Sequence, residues 1–114
     1  MLPRLLDTDT LSEIMKARNM QVIQKATRYL DNHDQFTFSI ITRYEILRGL
    51  KAKQATKQIS HFQAQCNESR ILFLSDKIID QASNIYGELH RQGRLIGDAD
   101  ILIAATAIVL ISSW

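Results

Sequence analysis

The sequence predicts a small three-layer α/β domain built on a parallel sheet, and three observations carry that prediction. Short apolar runs, Leu5-Leu6, "FTFSII" from residue 36 and "ILFL" from residue 71, are separated by stretches whose apolar residues recur at helical spacing. Strands that alternate with helices pair in parallel through right-handed crossovers. Runs that are apolar throughout, rather than at every second position, belong to a sheet covered on both faces.

Taken in order, Leu5-Leu6 follows Pro3 and reads as a buried strand ending at Asp7. Thr10 and Glu13 stand at the spacing of a capping box, so a helix is expected from Leu11. A second helix covers 20–30, with Val22, Ile23, Ala26 and Leu30 on one side, until "DNHDQ" breaks it. "FTFSII" is the second strand. A helix over 43–50 follows, weakening near Gly49. Residues 54–66 form a polar helix anchored by Ile59 and Phe62. "ILFL" is the third strand, Asp76 caps a long helix reaching Gln92, Gly93 stops it, and a last helix begins near Ala99. No repeat, low-complexity segment or linker interrupts the pattern, so residues 1–114 form a single domain.

The 46% apolar content suits a folded core and excludes a disordered tail. With 14 basic and 12 acidic residues, the net charge of +2 names no partner. Cys66 is the only cysteine, which excludes an intrachain disulfide and fits a semi-buried thiol in a reducing cytosol. "MLPRLLDTD" reaches Asp7 before a signal region can form, and the apolar run 101–111 falls short of the roughly 20 residues of a spanning helix. A soluble cytoplasmic protein without membrane contact is the expectation. His33, His61 and His90 sit on polar helix ends and read as surface histidines.

The acids are more informative. Ligands of open α/β sheets bind beyond the carboxyl ends of the strands. Asp7 ends the first strand, Glu45 lies one turn past the second, and Asp98 and Asp100 open the last helix. Each has a structural explanation. Thr42 and Glu45 match a capping box, Asp98 fits an N-cap, and Asp100 gains from the helix dipole. Asp7 resists such an account, because a charge ending a buried strand is costly without a partner. Carboxylates crowded at one edge repel and raise one another's pKa. No Lys or Arg stands beside all of them in the sequence, and a divalent cation held by hard oxygens, Mg²⁺ or Mn²⁺, would relieve the repulsion. From Arg43 onward, Arg43, Arg48, Lys51, Lys53 and Lys57 oppose the single acid Glu45. That run is a solvated helix surface by default, and a set of phosphate contacts if it flanks the acidic edge; Arg91 and Arg94 extend it.

"LLDTDTLSEI", "FTFSIITRYEILRGL" and "IGDADILIAATA" together resemble the PIN domain, specifically the VapC-type toxins of bacterial toxin–antitoxin pairs, in order and over almost the whole chain. The resemblance implies a three-layer α/β/α fold and a Mg²⁺- or Mn²⁺-dependent endoribonuclease acting on RNA such as tRNA, restrained by a VapB-like antitoxin. Asp7, Glu45 and Asp100 would be its catalytic, metal-holding acids, with Asp98 assisting through water. Thr8, Ser39 and Thr42 would be the hydroxyl residues supporting them. Hydrolysis would proceed by in-line attack of water, with no covalent enzyme intermediate.

Relatives continue past the "IAATA" helix into one or two further strands, which "IVLISSW" does not supply. The expectation is a PIN-like fold lacking those strands, with an unpaired first strand and an apolar tail. Exposed Ile108, Val109, Leu110 and Ile111 would forgo roughly 1.5–3 kcal/mol each, so self-association, or refolding of the tail as a substitute strand, is predicted. Two alternatives stand beside the enzyme: a weak or inactive PIN-like module that binds antitoxin or RNA without cleavage, and a plain α/β domain whose acids are helix caps.

Overall fold

The structure is a computed structural model and describes residues 4–112. Pro3, ahead of the expected first strand, and the last two residues of "IVLISSW" lie outside that range. Along the chain come α1 (Thr8–Lys16), α2 (Met20–His33), β1 (Thr37–Ser39), α3 (Ile40–Ala52), α4 (Thr56–Asn67), β2 (Arg70–Leu72), α5 (Asp76–Arg91) and α6 (Asp98–Ser112).

The sheet is parallel. Phe38 of β1 stands opposite Ile71 of β2, flanked by the pairs Thr37–Arg70 and Ser39–Leu72. The expected first strand is reduced to one parallel bridge, Leu6 to Phe38, in which the Leu6 N–H donates to the Thr37 carbonyl at 2.9 Å. Since a strand has two hydrogen-bonding edges, β1 lies in the centre, with the Leu6 segment on one side and β2 on the other. Tyr29 of α2 ties this arrangement together: its hydroxyl donates to the Arg4 carbonyl at 2.6 Å and accepts from the Thr37 N–H at 3.3 Å. Around the sheet, Leu6, Leu11, Phe36, Phe38, Ile46, Leu47, Phe62 and Cys66 form one buried cluster. A second cluster, Ile78, Ala82, Ile101 and Ala105, joins α5 to α6. α6 also touches α3.

Several helix starts differ from expectation, always because a nearer cap acts first. α1 begins at Thr8, not Leu11, since the Asp7 carboxylate accepts from the Thr10 N–H at 2.8 Å and the Asp7 carbonyl accepts from Leu11. The Thr10–Glu13 capping box is therefore not used. Ser39 caps α3 by accepting from the Ile41 N–H at 3.0 Å, so Ile40 and Ile41 leave the predicted strand and become helix. Ser75, not Asp76, caps α5, accepting from Ile78 at 3.2 Å. In α6 the Gly97 carbonyl accepts the Ile101 N–H at 3.1 Å, the bond that defines a cap position. Asp98 is thus the first helical residue and not the N-cap expected of it. The third strand is shifted to Arg70–Leu72, leaving Phe73 70% exposed. Gly93 ends α5 as predicted, with φ +68°.

Candidate functional site

Parallel pairing brings the carboxyl ends of the Leu6 segment and β1 to the same edge, and two local events build the site there. Asp7 starts α1 immediately after the bridge, which sets Thr8 at the first helical position. Ser39 starts α3 immediately after β1, which places Thr42 and Glu45, three residues apart, on one face of the helix that packs on α1.

Thr8 joins the two helices. Its hydroxyl donates to Glu45 Oε1 at 2.5 Å, and its oxygen lies 3.2 Å from that of Thr42. Thr8 has one proton, and the short contact to a carboxylate claims it, so Thr42 supplies the proton of the hydroxyl pair. Thr42 and Ser39 are fully buried. The Glu45 side chain is 17% exposed, and its other oxygen, Oε2, lies 3.6 Å from Arg48 Nη2. The Arg48 guanidinium also stands over the Tyr44 ring, 5.2 Å from its centroid. Glu45 is thus held by a hydroxyl and a guanidinium from the chain itself, and not by the backbone N–H that a capping box would supply.

Asp7 is exposed and spends one carboxylate oxygen on capping α1. That contact supplies the structural account it lacked in the sequence. Asp98 and Asp100 are exposed on the first turn of α6, where the helix dipole favours acids. The structure therefore joins Thr8, Thr42 and Glu45, sets Asp7 next to Thr8 in the chain, and carries Asp98 and Asp100 on a separate helix. Among the described residues, no group of three or more His, Cys, Asp or Glu is placed to hold a metal ion. The donors are hard carboxylate oxygens, suited in kind to Mg²⁺ or Mn²⁺.

Asp7 also lines an open groove of about 990 Å³ between α1 and α2, with Leu6, Ile14, Val22, Ala26 and Tyr29 along it and Glu13, Lys25 and Arg28 among its charged residues.

The basic run does not act as a block. Arg43 acts on the Cys66 thiol: burial raises that thiol's pKa, and the Arg43 charge partly opposes the rise. Lys51, Lys53 and Lys57 are exposed. Arg91 pairs with Glu88 at 2.6 Å, and Arg94 is exposed. His61 and His90 are exposed, whereas His33 is half-buried and packs on Tyr29, ring centroids 4.7 Å apart. Arg48, expected from the sequence as a phosphate contact, is engaged within the chain by Glu45 and Tyr44. The spacings Glu45–Arg48 (i, i+3) and Tyr44–Arg48 (i, i+4) were the signals for this contact.

A PIN domain model matches residues 4–111. The chain is 30% identical over 105 residues to Ribonuclease VapC1 of Methanocaldococcus jannaschii, covering 92% of this chain and 68% of that protein. It is 30% identical over 118 residues to Ribonuclease VapC2 of Haemophilus influenzae, covering 99% and 87%. In three dimensions it resembles VapBC2 from Rickettsia felis bound to a promoter DNA fragment, with a TM-score of 0.79 at 22% identity over 92% of this chain and 79% of that one. It also resembles VapBC-1 from nontypeable Haemophilus influenzae, with a TM-score of 0.76 at 24% identity over 96% and 81%. The parallel sheet flanked by helices is the α/β/α PIN-like fold that the sequence predicted. Over residues 4–111, nearly its whole length, the chain belongs to the PIN domain family.

Proposed function

We propose that the protein is a VapC-type endoribonuclease, the toxin of a toxin–antitoxin pair, and that it uses Mg²⁺ or Mn²⁺. One observation carries the reading: Glu45, a largely buried carboxylate at the carboxyl edge of a parallel sheet, is held by side chains of two elements and caps nothing. Relatives that span almost all of this chain are named Ribonuclease VapC, which supports RNA as the substrate. Asp7, Glu45 and Asp100 are the proposed acids, with Asp98 secondary. When bound, the cation would stabilise charge on the scissile phosphate and lower the pKa of an attacking water. Thr8 fixes the direction of the Glu45 carboxylate, and Thr42 fixes Thr8. Asp100 belongs to α6, so sharing one ion requires these side chains to move from the positions described.

Lys51 and Lys53, exposed on and just after α3, are proposed phosphate contacts, with Arg48 beside them. The similar VapBC structures support an antitoxin partner, and the groove between α1 and α2 is the proposed seat for part of it. Ile108 and Ile111, 41% and 62% exposed on α6, are the proposed basis of self-association. Among the described residues, no helix is long and apolar enough to cross a membrane; a cytoplasmic location is part of the proposal.

The test is RNA cleavage by purified protein in Mg²⁺, Mn²⁺ or EDTA, for the wild type and Glu45→Gln. Glutamine still accepts from Thr8 but carries no charge. Cleavage should need the cation and fall about 100-fold or more in the variant, with little change in Tm. Cation-independent cleavage, or a variant that cuts normally but melts early, overturns the reading. The binding module is the second reading, favoured by the separation of the acids over two helices; it predicts tight binding of antitoxin or RNA with no cut in any condition.

A further inference from the structure

Among the described residues, Glu45 is the one proposed acid paired with a cationic side chain. Arg48 Nη2 lies 3.6 Å from its Oε2, the carboxylate is 17% exposed, and Thr8 occupies its Oε1. Arg48 is not pinned there by burial, since its side chain is 57% exposed. It is oriented from below by the Tyr44 ring, 5.2 Å from its Cζ, on the same face of α3. Both oxygens of Glu45 are therefore engaged within the chain, one by a neutral donor compatible with a bound metal and the other by a positive charge that repels one.

We propose that Arg48 is the internal counter-ion of Glu45: it neutralises the carboxylate when no metal is present and competes with a divalent cation for it, so that ion uptake displaces the guanidinium, which stays over Tyr44. The proposal rests on the metal-dependent reading above. Its physical content is a difference in sign. A residue that merely supports the site would weaken metal binding when removed, whereas a competing cation strengthens it. A pair of this length with an exposed guanidinium is weak, so the effect is a tuning of affinity and not a lock.

The experiment is Mn²⁺ titration of the purified protein by calorimetry at low ionic strength, counting only the binding that Glu45→Gln abolishes. Arg48→Met, which keeps length and removes charge, should lower the Kd about two- to fivefold. Tyr44→Leu should lower it by less, and Arg48→Lys should stay near wild type. The gain should shrink in high salt, which screens the pair. Lys77→Met, which removes an exposed charge from α5, should leave the Kd unchanged. An Arg48→Met Kd equal to or above wild type overturns the proposal while the metal site stands. An equal gain in Lys77→Met reduces the effect to net charge and overturns it as well. No Glu45-dependent binding in any variant removes the metal reading itself, and the counter-ion role falls with it.

Discussion

Around Phe38 the chain closes a core from both sides of a sheet: Leu6 and β1 in the middle, Leu11 from α1, Ile46 and Leu47 from α3, Phe62 and Cys66 from α4. α5 and α6 share a smaller apolar cluster of Ile78, Ala82, Ile101 and Ala105, and their main link to the sheet half runs through α3. The contrast is sharpest in the helices themselves. α3 places Thr42, Ile46 and Leu47 inside and exposes Arg48, Gly49 and Lys51. After its first turn α6 is apolar at nearly every position yet leaves Ile108 and Ile111 in water. A helix with a polar face has one way to dock, while a helix without one has no address in its own sequence. This matters for chemistry because the proposed acids are divided between the halves: Asp7 and Glu45 belong to the sheet half, Asp98 and Asp100 to the hairpin. How α6 sits on α3 decides whether they can act together.

The largest expected effect comes from breaking the sheet half. Phe38 is completely buried and lies against Phe62, ring centroids 6.3 Å apart. Phe38→Ala should cost about 3–5 kcal/mol in urea denaturation, a large part of the total for a domain of this size. Cys66, buried in the same cluster and the only cysteine, reports on that half alone. Alkylation at pH 8 should be slow in the wild type and much faster in the variant. Burial raises the thiol's pKa in the folded state, so folding favours the protonated form. The associated stability is present below the ordinary thiol value and is lost as pH rises through the folded one. Rapid alkylation of the wild type under native conditions would mean that the sheet half is not the rigid member of the pair.

Next is the hairpin. Ile101 is 5% exposed and packs one position after Asp100. Ile101→Ala should cost about 2–3 kcal/mol, and hydrogen exchange should show the loss confined to α5 and α6. If the acids of the two halves must gather around one ion, the same variant should weaken Mn²⁺ binding while Cys66 stays protected. Unchanged Mn²⁺ affinity would sever Asp98 and Asp100 from the proposed site.

The sheet half was also the more legible one. "FTFSII" and Leu5-Leu6 locate the centre because branched and aromatic runs of that length have few other places to go. The seat of Glu45 was less so: the sequence sets it one turn past a strand through Ile41, whereas β1 ends at Ser39 and Glu45 lies on the second turn of α3. The helix starts were not legible. Asp7, Ser39 and Ser75 each won over a plausible neighbour, and the choice depends on where the preceding strand stops, which sequence spacing places only within a few residues. The hydroxyl of Thr8 on Glu45 lies beyond sequence reading for another reason: it joins residues 37 apart along the chain and exists only once α1 packs on α3. Placing Asp100 fails for the reason given for α6. An apolar helix without a polar face does not reveal which side meets its neighbour.

The smallest expected effect tests whether the halves are independent in the stabilising direction. α1 ends at Ala17, whose φ of 50° and ψ of 37° are left-handed, with its N–H shared between the carbonyls of Glu13 and Ile14. A Cβ in that conformation costs about 1–2 kcal/mol, and glycine removes the cost while adding about 0.4–1 kcal/mol of unfolded-chain entropy to be lost. The net gain for Ala17→Gly is about 0.5–1 kcal/mol, a rise of about 2–6 °C in Tm for a chain of this length. Because α1 packs mainly on α2 and α3, exchange should slow chiefly for amides of the sheet half and stay nearly unchanged in α5 and α6. Equal slowing in both would show one cooperative unit, in which case the seating of α6 on α3 is fixed by the whole fold and not adjustable on its own.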